Sequence, residues 1–185
     1  VVTVTAVNDS STIVKALSDV SINDDHADTV VGKLDSVFVD IDDVLTFGIS
    51  GDNPNLVTGV INADSTITLS FASDSSGVTN IIVSANDGDT TIYDTIVVTV
   101  NAVNDAPTIV KALADVAVDE DHADTVVGKL DSVFADIDDV LTFGISSDNA
   151  NLVTGVINAD STITLSFASD SSGVTNIIVS ADDGD

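Results

Sequence analysis

The chain has 185 residues, 44% of them hydrophobic, and a formal net charge of −27 from 31 acidic residues against four lysines. That field repels nucleic acid and anionic membrane surfaces, which excludes polyanions as partners, while the apolar content is too high for a disordered acidic tail. Cysteine is absent, so neither a disulfide nor a thiolate site exists, and a bound cation is the evident substitute for a covalent staple in an oxidising space.

No apolar stretch approaches the roughly 20 residues of a membrane span, and no charged-then-apolar leader opens the chain, so an export signal is expected outside these residues. Every acid but Glu120 is aspartate, a residue suited to turns and short-armed metal ligation rather than to helices. Displacing the sequence by 96 residues makes 77 of 89 aligned positions identical. Copies this similar are tandem modules of one kind.

In chain order, Val1–Thr5 (Val-Val-Thr-Val-Thr) match residues 97–101 and read as the last strand of a preceding module, so the chain divides into residues 1–6, a first module at 7–103 and a second at 104–185. "AVND" follows, with Ser11 two residues on, where the second copy has Pro107. Alternating apolar residues then predict strands at Val44–Ile49, Thr66–Phe71 and Thr95–Val100, the last belonging to a segment that opens at Thr91. A further apolar strand is predicted at Ile81–Ser84. The clusters Ser50–Asn55, Ser73–Gly77 and Asn86–Asp89 are the turns between them. No segment supports an amphipathic helix. About seven short strands per module of this size predict an all-β immunoglobulin-like Greek-key sandwich. The strand at Thr91 has no counterpart after Asp185, so the second module is one strand short. Either these residues are a window on a longer array, the preferred reading, or Val1–Thr5 of one molecule completes the open edge of another by strand donation.

The acids recur at fixed places in each copy. Asp40-Ile41-Asp42-Asp43 and Asp136-Ile137-Asp138-Asp139 precede a predicted strand, and Asp87 and Asp183 stand at the same end of the apolar strands they follow. With Asn104 and Asp105 at the joint, one end of a module gathers several oxygen ligands. Calcium accepts six to eight oxygens without magnesium's octahedral demand, so a loose Asp and Asn cluster suits calcium best.

These motifs resemble the bacterial cadherin-like repeats of very large surface proteins, and the resemblance spans essentially every module. "AVNDAP" resembles that family's inter-repeat linker, "ADID" its Asp-x-Asp motif, "VSADDGD" the end of its penultimate strand, and "DED" its Glu-containing motif. The resemblance implies calcium held jointly by successive modules. At the joint it implies Asp24 and Asp74 from the first module, Asn104 and Asp105 from the linker, and Asp136, Asp138 and Asp183 from the second. At the N-terminal end it implies a half-site of Asn8, Asp9, Asp40, Asp42 and Asp87. Ala102 stands where the family's linker carries an acid, Asn23-Asp24-Asp25 replaces Asp119-Glu120-Asp121, and Asp74 stands alone, so one or two ions per joint are expected rather than three.

Pro107 fixes φ before the next strand, and Ser11 is expected to leave the earlier joint looser. His26 and His122 read as surface histidines, Lys15 and Lys111 as exposed strand lysines, and Asn8-Asp9-Ser10 as a ligand position rather than a glycosylation sequon. With no tryptophan and one tyrosine, stacking platforms for sugars are lacking. A calcium-dependent polysaccharide-binding module is kept as the alternative to a spacer, and a strand-exchanging filament subunit as a third. No Gly-x-Ser-x-Gly, His-Glu-x-x-His or phosphate loop occurs, and carboxylates repeated identically per module at a joint fit ligation better than glycoside hydrolysis. The reading is a non-enzymatic, extracellular, calcium-stiffened spacer of a bacterial surface adhesin, whose partners are neighbouring repeats of its own chain.

Overall fold

The computed structural model describes residues 1–5 and 7–185. The chain is all-β, two tandem cadherin-like sandwiches, with only two short 3₁₀ turns, Leu34–Ser36 and Leu130–Ser132, among the described residues. It divides into two compact units, Val1–Val103 and Asn104–Asp185.

Among its described residues the first unit has nine strands: β1 (Thr12–Ile13), β2 (Val20–Asn23), β3 (Thr29–Lys33), β4 (Phe38–Val39), β5 (Thr46–Gly51), β6 (Val57–Ile61), β7 (Thr66–Phe71), β8 (Gly77–Asn86) and β9 (Thr91–Asn101). One sheet runs β2-β9-β8-β5, the other β3-β7-β6, and β1 pairs with β4. All ladders are antiparallel except β2 on β9, where Val20–Asn23 run alongside Val98–Asn101. The order is that of a Greek-key sandwich: β5 crosses to β6 in the other sheet, β7 crosses back to β8, and β8 and β9 lie between β5 and β2.

Strict alternation in β8 sends Thr79, Ile81, Val83 and Ala85 inward, and β9 does the same with Ile96, Val98 and Val100. These meet Ile67 and Leu69 from the opposite sheet, with Leu34 and Phe38 closing the core. Two carboxylates pin the sheet's rim by accepting backbone donors: Asp94 Oδ2 takes Leu17 N–H at 2.7 Å and Asp19 Oδ1 takes Val97 N–H at 2.9 Å. At the other rim the sheets approach so closely that a Cβ on Gly59 would lie 2.6 Å from Ile49 Cδ1. Only glycine fits there without moving the isoleucine. Gly59→Val is expected to lower unfolding free energy by about 1–3 kcal/mol through overpacking, read from the urea midpoint.

The second unit has β10 (Thr108–Ile109), β11 (Thr125–Lys129), β12 (Phe134–Ala135), β13 (Thr142–Ser147), β14 (Val153–Ile157), β15 (Thr162–Phe167) and β16 (Ile177–Asp182). Its sheets are β11-β15-β14 and β13-β16, with β10 on β12. It differs from the first unit where β9 has no counterpart. Gly77–Asn80 of β8 pair only with β9, and β2 pairs only with β9. Their equivalents, Gly173–Asn176 and Val116–Asp119, accordingly carry no strand. The packed cluster of buried residues shrinks to Leu130, Ile163 and Leu165, with Val133 buried outside it, while Ile177 and Val179, twins of buried Ile81 and Val83, become partly exposed. The second unit carries a groove of about 510 Å³, lined in part by Leu113, Asp115, Val116, Ile163, Leu165 and Ile177.

Two strands start later than alternation predicts: β5 and β13 begin at Thr46 and Thr142, with Val44 and Val140 left exposed. The preceding aspartates fold back on the backbone and hold those residues out of the ladder. Val1–Thr5 carry no strand pairing and are exposed.

Candidate metal centres

Each unit gathers its acids at the end where its N-terminal linker enters. In the first, the Asp40 carboxylate ends β4 and turns back on the next loop, with Asp42 and Asp43 N–H donating to its Oδ1 at 3.0 and 2.9 Å. This local turn is what brings Asp40, Asp42 and Asp43 together, each offering an oxygen within 4.8 Å of the others. Asp87, at the end of β8, caps its own turn: Asp89 and Thr90 N–H donate to Oδ1 at 2.9 and 2.6 Å, and the Thr90 hydroxyl donates to Oδ2 at 2.7 Å. Thr90 first, then Asp89, holds this buried carboxyl well below the usual carboxylate range, against the opposing effect of desolvation.

Ser11 joins the two. Its Oγ lies 3.0 Å from Asp40 Oδ2 and 3.1 Å from Asp87 Oδ2, and with one proton it can satisfy only one of them at a time. The expectation that Ser11 merely loosens its joint misses this hydroxyl bridge; the residue is buried and ties the acid cluster to the linker. Asp9, from the same linker, donates its backbone N–H to the Asp42 carboxylate, while Asn8 is exposed.

The second unit repeats the arrangement with one change. Asp138 and Asp139 N–H donate to Asp136 Oδ1 at 3.1 and 2.9 Å, and Asp136, Asp138 and Asp139 again offer oxygens within 4.8 Å. Asp105 donates its backbone N–H to Asp138, and Asn104 Nδ2 donates to Asp183 Oδ2 at 3.1 Å. Pro107 occupies the place of Ser11 and has no hydroxyl to give. Asp136 Oδ2 is therefore buried with no hydrogen-bond donor.

The electrostatics of the pairs follow from this geometry. Backbone donors, Asp42 N–H foremost, lower Asp40, and Asp139 N–H foremost lowers Asp136. Desolvation, then a hydrogen bond shared with that neighbour, raises Asp42 and Asp138. Each pair is thus two carboxylates competing for one positive charge. A proton on Asp42 or Asp138 relieves the repulsion, and so does a cation. The all-oxygen donor set, with a buried oxygen offered no hydrogen, fits a hard divalent ion.

At the opposite end of the first unit, Asp24 Oδ1 accepts Val103 N–H at 3.1 Å, and Asp24 N–H donates to Asn101 O at 2.9 Å. Asp25 Oδ1 accepts Asp74 N–H at 3.0 Å. Asp25 and Asp74 both adopt positive φ, as do their twins Asp121 and Asp170, a conformation aspartate tolerates better than most residues. Asp25 is the acid that motif reasoning passes over in favour of Asp24. Comparing the copies points to it, since position 24 changes to Glu120 whereas Asp25 is kept as Asp121.

His26 and His122 are exposed and edge-on to Phe71 and Phe167. Lys15 and Lys111 are exposed as well.

No family model and no curated protein sequence matches this chain. Among solved structures it is similar to human protocadherin-24 EC1-2, at 18% identity over 94% of this chain and 87% of that one, with a TM-score of 0.51. That likeness is one of fold, cadherin-like and immunoglobulin-like. Looser matches include an endo-fucoidan hydrolase of glycoside hydrolase family 107 (17% identity, 91% of this chain, TM-score 0.42) and titin domains z1z2 (13%, 95% of each chain, TM-score 0.40). The chain spans 28% of the fucoidan hydrolase's length.

Proposed function

We propose that these units are calcium-stiffened spacer repeats of an extracellular bacterial adhesin or surface stalk, which project a distal binding module rather than catalyse a reaction. The observation that carries this reading is the Asp136 carboxylate, whose buried Oδ2 has no donor while Asp138 is crowded against it. Asp136, Asp138, Asp183, Asn104 and Asp105 would hold a calcium ion from the second unit, and Asp24 and Asp74, with Asp25, from the first. Asn8, Asp9, Asp40, Asp42 and Asp87 form the equivalent half-site for a preceding repeat.

Chain connectivity supports the assignment to a joint. Val103, held by Asp24, and Asn104, held to Asp183, are consecutive residues. An ion bound at both anchors would restrict the peptide between them and offset the repulsion of a chain carrying −27 charges. At extracellular calcium, sites with dissociation constants of about 10⁻⁴ to 10⁻³ M are occupied.

The test is small-angle scattering and calorimetry in millimolar calcium and in chelator. Calcium is expected to narrow the distribution of maximum dimensions and to raise the melting temperature, since a ligand of the folded form stabilises it. Identical scattering and melting in both buffers overturns the spacer reading. Calcium-dependent retention on insoluble polysaccharide would favour a sugar-binding module instead.

A further inference from the structure

We infer that the residue with which each linker meets its acid cluster, Ser11 in the first unit and Pro107 in the second, sets how tightly that cluster holds calcium. The serine hydroxyl weakens binding, and the proline leaves it at full strength. The inference rests on the calcium reading above and names the side chain that tunes it. The two positions are equivalent in the fold. Thr12 pairs with Val39 and Thr108 with Ala135, so one step back along each ladder sets Ser11 opposite Asp40 and Pro107 opposite Asp136.

In the first unit the serine does part of a cation's work. Ser11 is 6% exposed, and its Oγ reaches Asp40 Oδ2 and Asp87 Oδ2 at 3.0 and 3.1 Å. It brings one proton to two oxygens, and a hydrogen bond to a charged acceptor is stronger than one between neutral groups. An ion coordinated by Asp40 Oδ2 has to displace that proton, so the lost hydrogen bond counts against binding. In the second unit no such bond stands in the way. Proline has neither a hydroxyl nor a backbone N–H, and Asp136 Oδ2 is buried without a donor. The desolvation cost of that oxygen is already present in the metal-free fold, and an ion that meets it removes the cost. On the other carboxylate oxygen the clusters agree, since Asp40 and Asp136 Oδ1 each accept two backbone N–H groups. The contrast therefore lies at Oδ2. A cluster entered by serine keeps its acids together without calcium and responds only at a higher concentration; one entered by proline responds at a lower one. A chain that mixes the two stiffens in stages as calcium rises.

The test exchanges the residue and titrates calcium into the full chain. Each cluster is followed at the amides that donate to its carboxylate, Asp42 and Asp43 in the first unit and Asp138 and Asp139 in the second. Ser11→Ala is expected to tighten calcium at the first cluster by about 3- to 30-fold and to lower the melting temperature in chelator by roughly 2–6 °C. Pro107→Ala frees φ without adding a hydroxyl and should leave the second cluster's affinity within about twofold of the parent's. Measured against Pro107→Ala, Pro107→Ser should weaken calcium at the second cluster by about 3- to 30-fold and raise the melting temperature in chelator. Tighter binding joined to a less stable metal-free fold is a pair of changes that a disturbed turn does not produce. Unchanged affinity in Ser11→Ala overturns the proposal, and weaker affinity does so by making the hydroxyl a ligand. Equal weakening by Pro107→Ala and Pro107→Ser also overturns it, because the proline backbone would then be the cause. Parent amides that respond to calcium at neither cluster would sink the calcium reading itself, and this inference with it.

Discussion

Asp136→Asn is expected to lower calcium affinity by about 10- to 100-fold while raising the melting temperature of the calcium-free chain. The opposite signs come from one oxygen. In calcium, Oδ2 is a charged ligand, and an amide nitrogen in its place presents hydrogens to the ion. In chelator, the same change ends the repulsion between Asp136 and its neighbours Asp138 and Asp139 and leaves Oδ1 to accept the two backbone donors. Asp40→Asn should change both quantities less, because Ser11 already gives Asp40 Oδ2 a donor. Titration calorimetry and melting in both buffers separate the cases. A substitution that only disturbs the turn destabilises both forms.

Acidity should act in the same sense. Asp138 is raised, so its protonated form stabilises the metal-free fold below its ordinary pKa of 3.8, and that contribution is lost as pH rises through its folded value. Asp136 and Asp183 are lowered, and what they contribute persists above the ordinary range and disappears only as pH falls through their folded values. Near neutrality the chelated chain therefore carries an unrelieved pair, which calcium relieves. As pH falls towards the carboxylate range, protons replace calcium, and the melting curves in calcium and in chelator are expected to converge.

Period-2 alternation was enough to read the strand at Thr66–Phe71, because Ile67, Leu69 and Phe71 make one side of it wholly apolar, whereas of β8 only the apolar middle, Ile81–Ser84, was read. It did not find β2 or β3. In Val20–Asn23 the alternation spans four residues, and the strand exists only because β9 runs beside it. Val116–Asp119 have nearly the same pattern and form no strand, so the information lies in the partner and not in the segment. The late start of β5 was hidden for a related reason: Val44 and Leu45 extend the apolar pattern, but Asp40 ties up the N–H groups of Asp42 and Asp43. At the site, the proximity of Asp40 and Asp42, in a cluster that also takes in Asp43, was legible from their spacing. The contribution of Ser11 was not, since a hydroxyl's bridging depends on two acids 29 and 76 residues away.

Appending the sequence of Thr90–Asn101 after Asp185 is expected to raise the melting temperature of the second unit by roughly 10 °C or more. The added strand would bury counterparts of Ile96, Val98 and Val100, each contributing about 1.5–3 kcal/mol before the cost of ordering the segment. It would also re-cover Ile177 and Val179, half-exposed now and fully sheltered as Ile81 and Val83 in the first unit. Hydrogen exchange should slow at Gly173–Asn176 as that segment regains the ladder that Gly77–Asn80 has. In calorimetry the parent chain is expected to melt in two steps, the second unit first, because its packed cluster of buried residues has three members rather than thirteen. In the extended chain the steps should merge. The extension with aspartate in place of its two inward valines should leave the lower transition where it was. An unmoved lower transition with the unaltered extension would mean that the groove is not shaped for a strand, and β9 would then owe its place in the first unit to its turn rather than to the residues it covers.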